Sequence, residues 1–195
     1  MIIWLNGAFG SGKTTSAFEL KRRLPNSFVY DPENIGYFIR KNTPKELHKS
    51  DFQDHEQWRS FNYSMLKYIS NTYDGVIIVP MTVTNPQYYK EIIQKLTDDG
   101  IPLKHYILYA NKETLLKRLN KRLERGETWT KSQIDRCIHA FHTDITEEKI
   151  ITDNISVDLV VEEIAKRSNI TLIPDDRTSL RKWLDRTMTL IKHIR

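Results

Sequence analysis

Ile2-Ile3-Trp4-Leu5-Asn6-Gly7-Ala8-Phe9-Gly10-Ser11-Gly12-Lys13-Thr14-Thr15 is the stretch whose reading decides the fold class. Four apolar residues run without alternation, as in a strand buried on both faces, and pass directly into a glycine-rich turn. Residues 7–14 fit G-x-x-x-x-G-K-[ST], and a helical apolar pattern (Ala17, Leu20, Leu24) follows at once. Glycines let consecutive N–H groups turn inward around a phosphate chain, the helix N-terminus adds its positive dipole, and Lys13 reaches the terminal phosphates. The Thr14 hydroxyl is suited to ligate Mg²⁺. A chance match in a chain this long is roughly one in a hundred on average composition, before the strand and helix context is required. Gly7, Ala8, Phe9, Gly10, Ser11, Gly12, Lys13, Thr14 and Thr15 are therefore expected to hold a nucleoside triphosphate with Mg²⁺.

Outward from this loop, short apolar runs alternate with helical patterns. Strands are expected at Ser27–Tyr30, Gly75–Pro80, Tyr106–Ala110 and, more weakly, Lys149–Thr152. The stripe Trp58, Phe61, Met65, Ile69 marks one helix, and Pro86 starts another that Gly100 stops. Leu115, Leu116 and Leu119 mark a third, and Val157, Val160, Val161 and Ile164 a fourth. Alternation of this kind predicts an α/β fold with an open, mostly parallel sheet and right-handed crossovers. The third strand ends Val79-Pro80-Met81-Thr82 without an acid, which disfavours an ABC- or AAA-type hydrolytic site. Asn111-Lys112-Glu113-Thr114 approaches the base-recognition motif of GTPases but lacks its aspartate.

Composition sets bounds without choosing a function. The chain has 195 residues, 30 Lys+Arg against 25 Asp+Glu, a formal charge of +5 and one cysteine. That length suits one domain with a real core, and nothing approaches the roughly 20 apolar residues needed to span a bilayer. The first residues lack the layout of a signal peptide, and a lone Cys137 fits a reducing cytoplasm. The basic excess suits phosphate, nucleic acid or an anionic membrane surface. No basic-aromatic track is evident, so nucleic acid is not expected as a partner. The six histidines show no metal spacing, and Cys137 reads as a structural thiol.

Beyond these bounds, the arrangement resembles the nucleoside-monophosphate-kinase-like group, which includes shikimate kinase and antibiotic phosphotransferases. The resemblance implies a three-layer P-loop NTPase fold with a central five-stranded parallel sheet and a lid at about residues 120–132. In that group a carboxylate often stands near the acceptor hydroxyl at the end of strand two, where this chain has Tyr30-Asp31. Asp31 there would orient or deprotonate the hydroxyl, or hold Mg²⁺ through water; its other reading is a turn or helix cap before Pro32. Leu115–Arg122 resembles the segment entering the lid, where the first arginine stacks on adenine and the second reaches the phosphates. Arg118 and Arg122 are i, i+4 and share a helix face, and Arg125 and Arg136 are further candidates for the phosphates. A solvated basic face is the alternative. Ile151-Thr152-Asp153-Asn154 resembles the loop beside the base, placing Asn154 among the nucleotide contacts, with fold closure as the other reading.

A closer resemblance, to the bacterial tunicamycin resistance proteins, runs in the same order through Met1–Thr14, residues 29–33, 77–82, 112–119, 133–137 and 179–195. It implies an ATP-binding protein protecting against a uracil nucleoside that carries amino sugars and a fatty acyl chain. Phosphoryl transfer from ATP to that small molecule is the leading reading, with Lys13 and Asp31 as catalytic residues. Non-catalytic ATP-dependent sequestration and a metabolic nucleoside or nucleotide kinase are the rivals. The acceptor is expected between Asp31 and Tyr73, with Tyr37, Arg40, Trp58 and Arg59 as contacts, although the Trp58 stripe also reads as core. Met81 and Thr82 join them, because open α/β sheets bind ligands at the carboxyl ends of their strands. Residues 1–174 are read as the kinase-like domain and 175–195 as a basic amphipathic helix, with a hinge at Ile173–Asp176. Leu180, Trp183, Leu184, Met188, Ile191 and Ile194 share a face of that helix among basic residues. The pattern suits either an anionic membrane surface or docking onto the domain. The expected location is the cytoplasm, with peripheral contact at the inner face of the membrane.

Overall fold

The computed structural model describes residues 1–121 and 128–193. Its elements are β1 (Ile2–Asn6), α1 (Lys13–Arg23), β2 (Ser27–Val29), α2 (Glu33–Asn42) and α3 (Glu56–Thr72), followed by β3 (Val76–Pro80). After β3 come α4 (Pro86–Tyr89), a π-helical stretch Lys90–Gln94 and α5 (Lys95–Asp98), which form one continuous rod. Asn85 caps its start with Pro86 in the first turn, and Gly100, at φ 79°, ends it as the sequence predicts. The chain continues through β4 (Leu103–Tyr109), α6 (Lys112–Lys121), α7 (Trp129–Ser132), α8 (Ile134–Thr143), β5 (Glu148–Ile151), α9 (Val157–Ser168) and α10 (Ser179–His193).

All five strands are parallel in the order β2-β3-β1-β4-β5. Side chains alternate along β1, so Ile2 and Trp4 enter one core and Ile3 and Leu5 the other. All four are fully buried, which is why this strand reads as a continuous apolar run. Trp58, Leu66, Ile92 and Phe141 cover the first face; Leu20 of α1 and Val161 and Ile164 of α9 cover the second. Three layers result, as expected.

Two expectations change in detail. The buried face of α3 is Trp58, Arg59, Asn62 and Leu66, whereas Phe61 is exposed. Polar partners rotate the helix: Asn62 accepts from the Tyr30 hydroxyl at 2.8 Å, and Arg59 pairs with Glu91. The hinge at 173–176 is tied down, because Asp175 pairs with Arg177 at 2.8 Å and Ile173 donates to Arg23 O. Asp175 is held well below the usual carboxylate range, chiefly by its hydrogen bond with Arg177.

α10 docks with its charged face. Glu19 of α1, only 3% exposed, receives Arg186 of α10 at 3.1 Å and Arg177, two residues ahead of the helix, at 2.6 Å. Asp158 of α9 receives Arg186 at 2.8 Å and Lys182 at 3.3 Å. Leu180, Trp183, Leu184, Met188 and Ile191 consequently face outward. Ile194 lies outside the described residues.

Candidate functional site

The phosphate loop is held in shape from both sides. Asn6, fully buried, accepts from Gly7 N at 2.8 Å and Val83 N at 2.9 Å, and donates to Val83 O at 2.8 Å. The Thr82 hydroxyl donates to Gly7 O at 2.8 Å. Gly7 has φ 143°, and a Cβ there would lie 2.5 Å from Leu108 O and 2.6 Å from the Ser11 hydroxyl, so no side chain fits. Lys13 leads into α1 and donates to Gly7 O at 2.9 Å and Ala8 O at 3.0 Å, keeping its ammonium over the loop. α1 opens with no acidic residue in its first turn, which leaves its positive end toward the loop.

Beside the loop is a cavity of about 280 Å³ lined by Gly10, Ser11, Gly12, Thr15, Arg118, Thr152 and Ile155, with Val157 and Val160 behind them. The Ser11 hydroxyl is buried with no hydrogen-bond partner among the described residues. Arg118 is fixed by bonds to Thr152 Oγ1 at 3.0 Å, to Thr152 O and to Ser11 O at 3.4 Å. Burial lowers its guanidinium from the usual range. A planar guanidinium locked over an apolar-walled cavity beside a phosphate loop suits a purine base. Asn154 is exposed in the following turn; its neighbours Thr152 and Ile155 do the lining. Arg122 and Arg125, with the rest of residues 122–127 of the expected lid, lie outside the described residues.

A second cavity, about 290 Å³, opens at the carboxyl end of β3. Tyr37, Arg40, Met81 and Thr82 line it as expected, and Phe9 of the loop turns into it, against Trp129 edge-to-face at 5.3 Å. Phe52, which belongs to the aromatic-rich stretch after Asp31, lines it too, and Glu33, Asp51 and Trp129 are lining residues that sequence reasoning missed as contacts. Of these three, Trp129, in the expected lid tip, carried a local signal. Phe52 reaches the wall because α2 has glycine opposite it: a Cβ on Gly36 would lie 2.5 Å from the Phe52 ring. Arg40 donates to Ser50 O at 3.2 Å. Burial pushes the Asp51 carboxyl up, against the downward pull of the Gln53 N–H and of Arg136 and Arg40.

Three expected contacts are placed elsewhere. Trp58 is fully buried in the core, donating to Pro32 O at 2.9 Å. Arg59 is buried between Glu91 and the Tyr88 ring and donates to Gln53 O at 2.8 Å. Both support the wall of the second cavity from behind, Trp58 against the Phe52 ring and Arg59 through Gln53. Arg136 stands 3.8 Å from Asp51, which lines the second cavity.

A third, small cavity of about 40 Å³ gathers Thr14, Phe18, Asp31, Glu33, Pro80 and His193. Glu33 borders both this cavity and the second one. Asp31 Oδ1 accepts from Glu33 N at 3.0 Å, so it does cap the turn into α2. Its Oδ2 lies 3.8 Å from His193 Nδ1. A hydroxyl and a carboxylate opening onto one cavity beside the loop are an oxygen donor set that fits Mg²⁺. Of the histidines, read from sequence as surface or core, only His193 lines a cavity described here.

Comparison with known proteins places this geometry. The model of a family described as AAA domain matches residues 2–143. Comparison with curated protein sequences gives no match. Among solved structures, the tunicamycin resistance protein of Deinococcus radiodurans is 33% identical, with 89% of this chain and 98% of that chain covered and a TM-score of 0.77. A gluconokinase from Sinorhizobium meliloti is 14% identical, covering 86% and 90% of the two chains, with a TM-score of 0.60. A shikimate kinase from Bacteroides thetaiotaomicron is 18% identical, covering 87% and 99%, with a TM-score of 0.59. The two kinases share the fold.

Proposed function

The chain belongs to the AAA domain family of P-loop proteins, in the kinase-like form it shares with the Deinococcus protein, and on that premise we propose that it phosphorylates a nucleoside antibiotic of the tunicamycin type. The observation that carries the reading is the adjacency of the cavities: Asp31 and Thr14 share one that meets the aromatic acceptor cavity at Glu33. Nucleotide would lie along the loop with its base in the cavity of Arg118. Thr14 would hold Mg²⁺, with Asp31 nearby; when bound, the ion neutralises charge on the phosphate chain. Lys13 and the loop N–H groups stabilise charge on the transferred group. The acceptor hydroxyl oxygen bonds to the γ-phosphorus, the bond to the β,γ-bridging oxygen breaks, ADP leaves, and the hydroxyl proton passes to Asp31 Oδ2. Phe9, Tyr37, Phe52 and Trp129 supply apolar wall for an amphiphilic acceptor, and Arg40 and Asp51 supply fixed polar groups.

A peripheral membrane location at the cytoplasmic face belongs to the same reading. Its support is the outward apolar row of α10, with Trp183 61% and Ile191 66% exposed, since a helix that merely closed the core would bury that row. No described helix is long and apolar enough to cross a membrane.

The test of the activity is ADP release under Mg·ATP, with tunicamycin and ordinary nucleosides compared as acceptors. Stimulation by tunicamycin alone supports the proposal. Stimulation by ordinary nucleosides alone replaces it with a metabolic kinase.

A further inference from the structure

We propose that the C-terminal helix is a wall of the nucleotide site, with Leu190 closing the base cavity, so that nucleotide binding and docking of α10 stabilise each other. The inward face of α10 repeats at helical spacing through Lys182, Arg186, Leu190 and His193, all partly buried, while Leu180, Leu184, Met188 and Ile191 face outward. Lys182 and Arg186 anchor this face to Glu19 and Asp158. Glu19 lies on the helix that begins at Lys13, so the anchor is made to the element that carries the phosphate loop.

Beyond the anchor the helix meets the site twice. Leu190 lines the base cavity together with Arg118, Val157 and Val160, where an apolar side chain covers part of a bound base. One turn on, His193 packs on Phe18 with ring centroids 4.6 Å apart and lines the cavity of Thr14 and Asp31. A single helix therefore borders both the base end and the metal end of the expected nucleotide. A ligand that binds only the docked arrangement stabilises docking, and by linkage docking raises affinity for the ligand.

The inference rests on nucleotide occupying the loop cavity, and the test separates that from the role of the helix. Mg·ATP binding is measured by titration calorimetry for the wild type, Lys13→Ala, Leu190→Ala and the outward-facing Ile191→Ala. Leu190→Ala is expected to weaken binding on the order of fivefold, as for losing part of an apolar wall. Ile191→Ala is expected to bind as wild type. A second readout needs no variant: Mg·ATP should slow amide hydrogen exchange in the last turns of α10. Wild-type affinity in Leu190→Ala, or exchange in α10 unmoved by Mg·ATP, overturns the inference while loss of binding in Lys13→Ala leaves nucleotide binding standing. A wild-type protein that binds no Mg·ATP overturns both.

Discussion

At Asp31 the cap reading does not exclude the proposed catalytic one, because the cap uses only one of the two carboxylate oxygens. Oδ1 caps the turn into α2 and Oδ2 opens onto the cavity of Thr14. Asparagine caps helices about as well as aspartate but is a far poorer proton acceptor. Asp31→Asn is therefore expected to lower kcat by about 100-fold or more while shifting stability by less than about 1 kcal/mol. Steady-state kinetics beside urea unfolding checks both halves. The phosphate loop was legible at this scale because its motif states its own geometry. Asn6 was not: its clamp on Gly7 and Val83 depends on a residue 77 positions away. The core reading of Trp58 is the one its burial supports, and Arg59 was less legible: their partners Pro32 and Glu91 lie 26 and 32 residues off.

At the scale of elements, apolar runs identified all five strands, and boundaries moved by only a few residues. The rotational setting of helices was less readable, because it follows which polar groups find partners. α3 turns Phe61 outward so that Asn62 can meet Tyr30, and α10 turns its apolar row outward so that its cations can meet Glu19 and Asp158. β4 carries a consequence for pH. His105 is buried against Tyr89, neither ring nitrogen has a hydrogen-bond partner among the described residues, and burial lowers its pKa from 6.5 to about 3. The unfolded chain thus binds a proton that the folded one excludes between those values, and stability falls as pH drops below 6.5. By pH 5 this one group costs about 2 kcal/mol relative to neutral pH. Urea unfolding at pH 7 and pH 5 should show a correspondingly smaller loss in His105→Phe.

For the whole molecule, the formal charge of +5 resolves into two places: cations at the nucleotide cavity, and cations of α10 spent largely on acidic residues of α1 and α9. What α10 offers outward is mainly apolar. Binding to phosphatidylserine vesicles is therefore expected to depend on Trp183 and Met188 more than on charge. The double variant Trp183→Ser, Met188→Ser should float with vesicles at least severalfold less than wild type, and unchanged flotation would remove α10 from membrane contact. The central claim concerns chemistry, and mass spectrometry of tunicamycin incubated with the protein and Mg·ATP tests it most directly. The account predicts drug heavier by one phosphoryl group, accumulating over many turnovers and forming about 100-fold or more slower with Asp31→Asn. Drug recovered unmodified yet bound one-to-one in the presence of ATP would contradict it and establish sequestration instead.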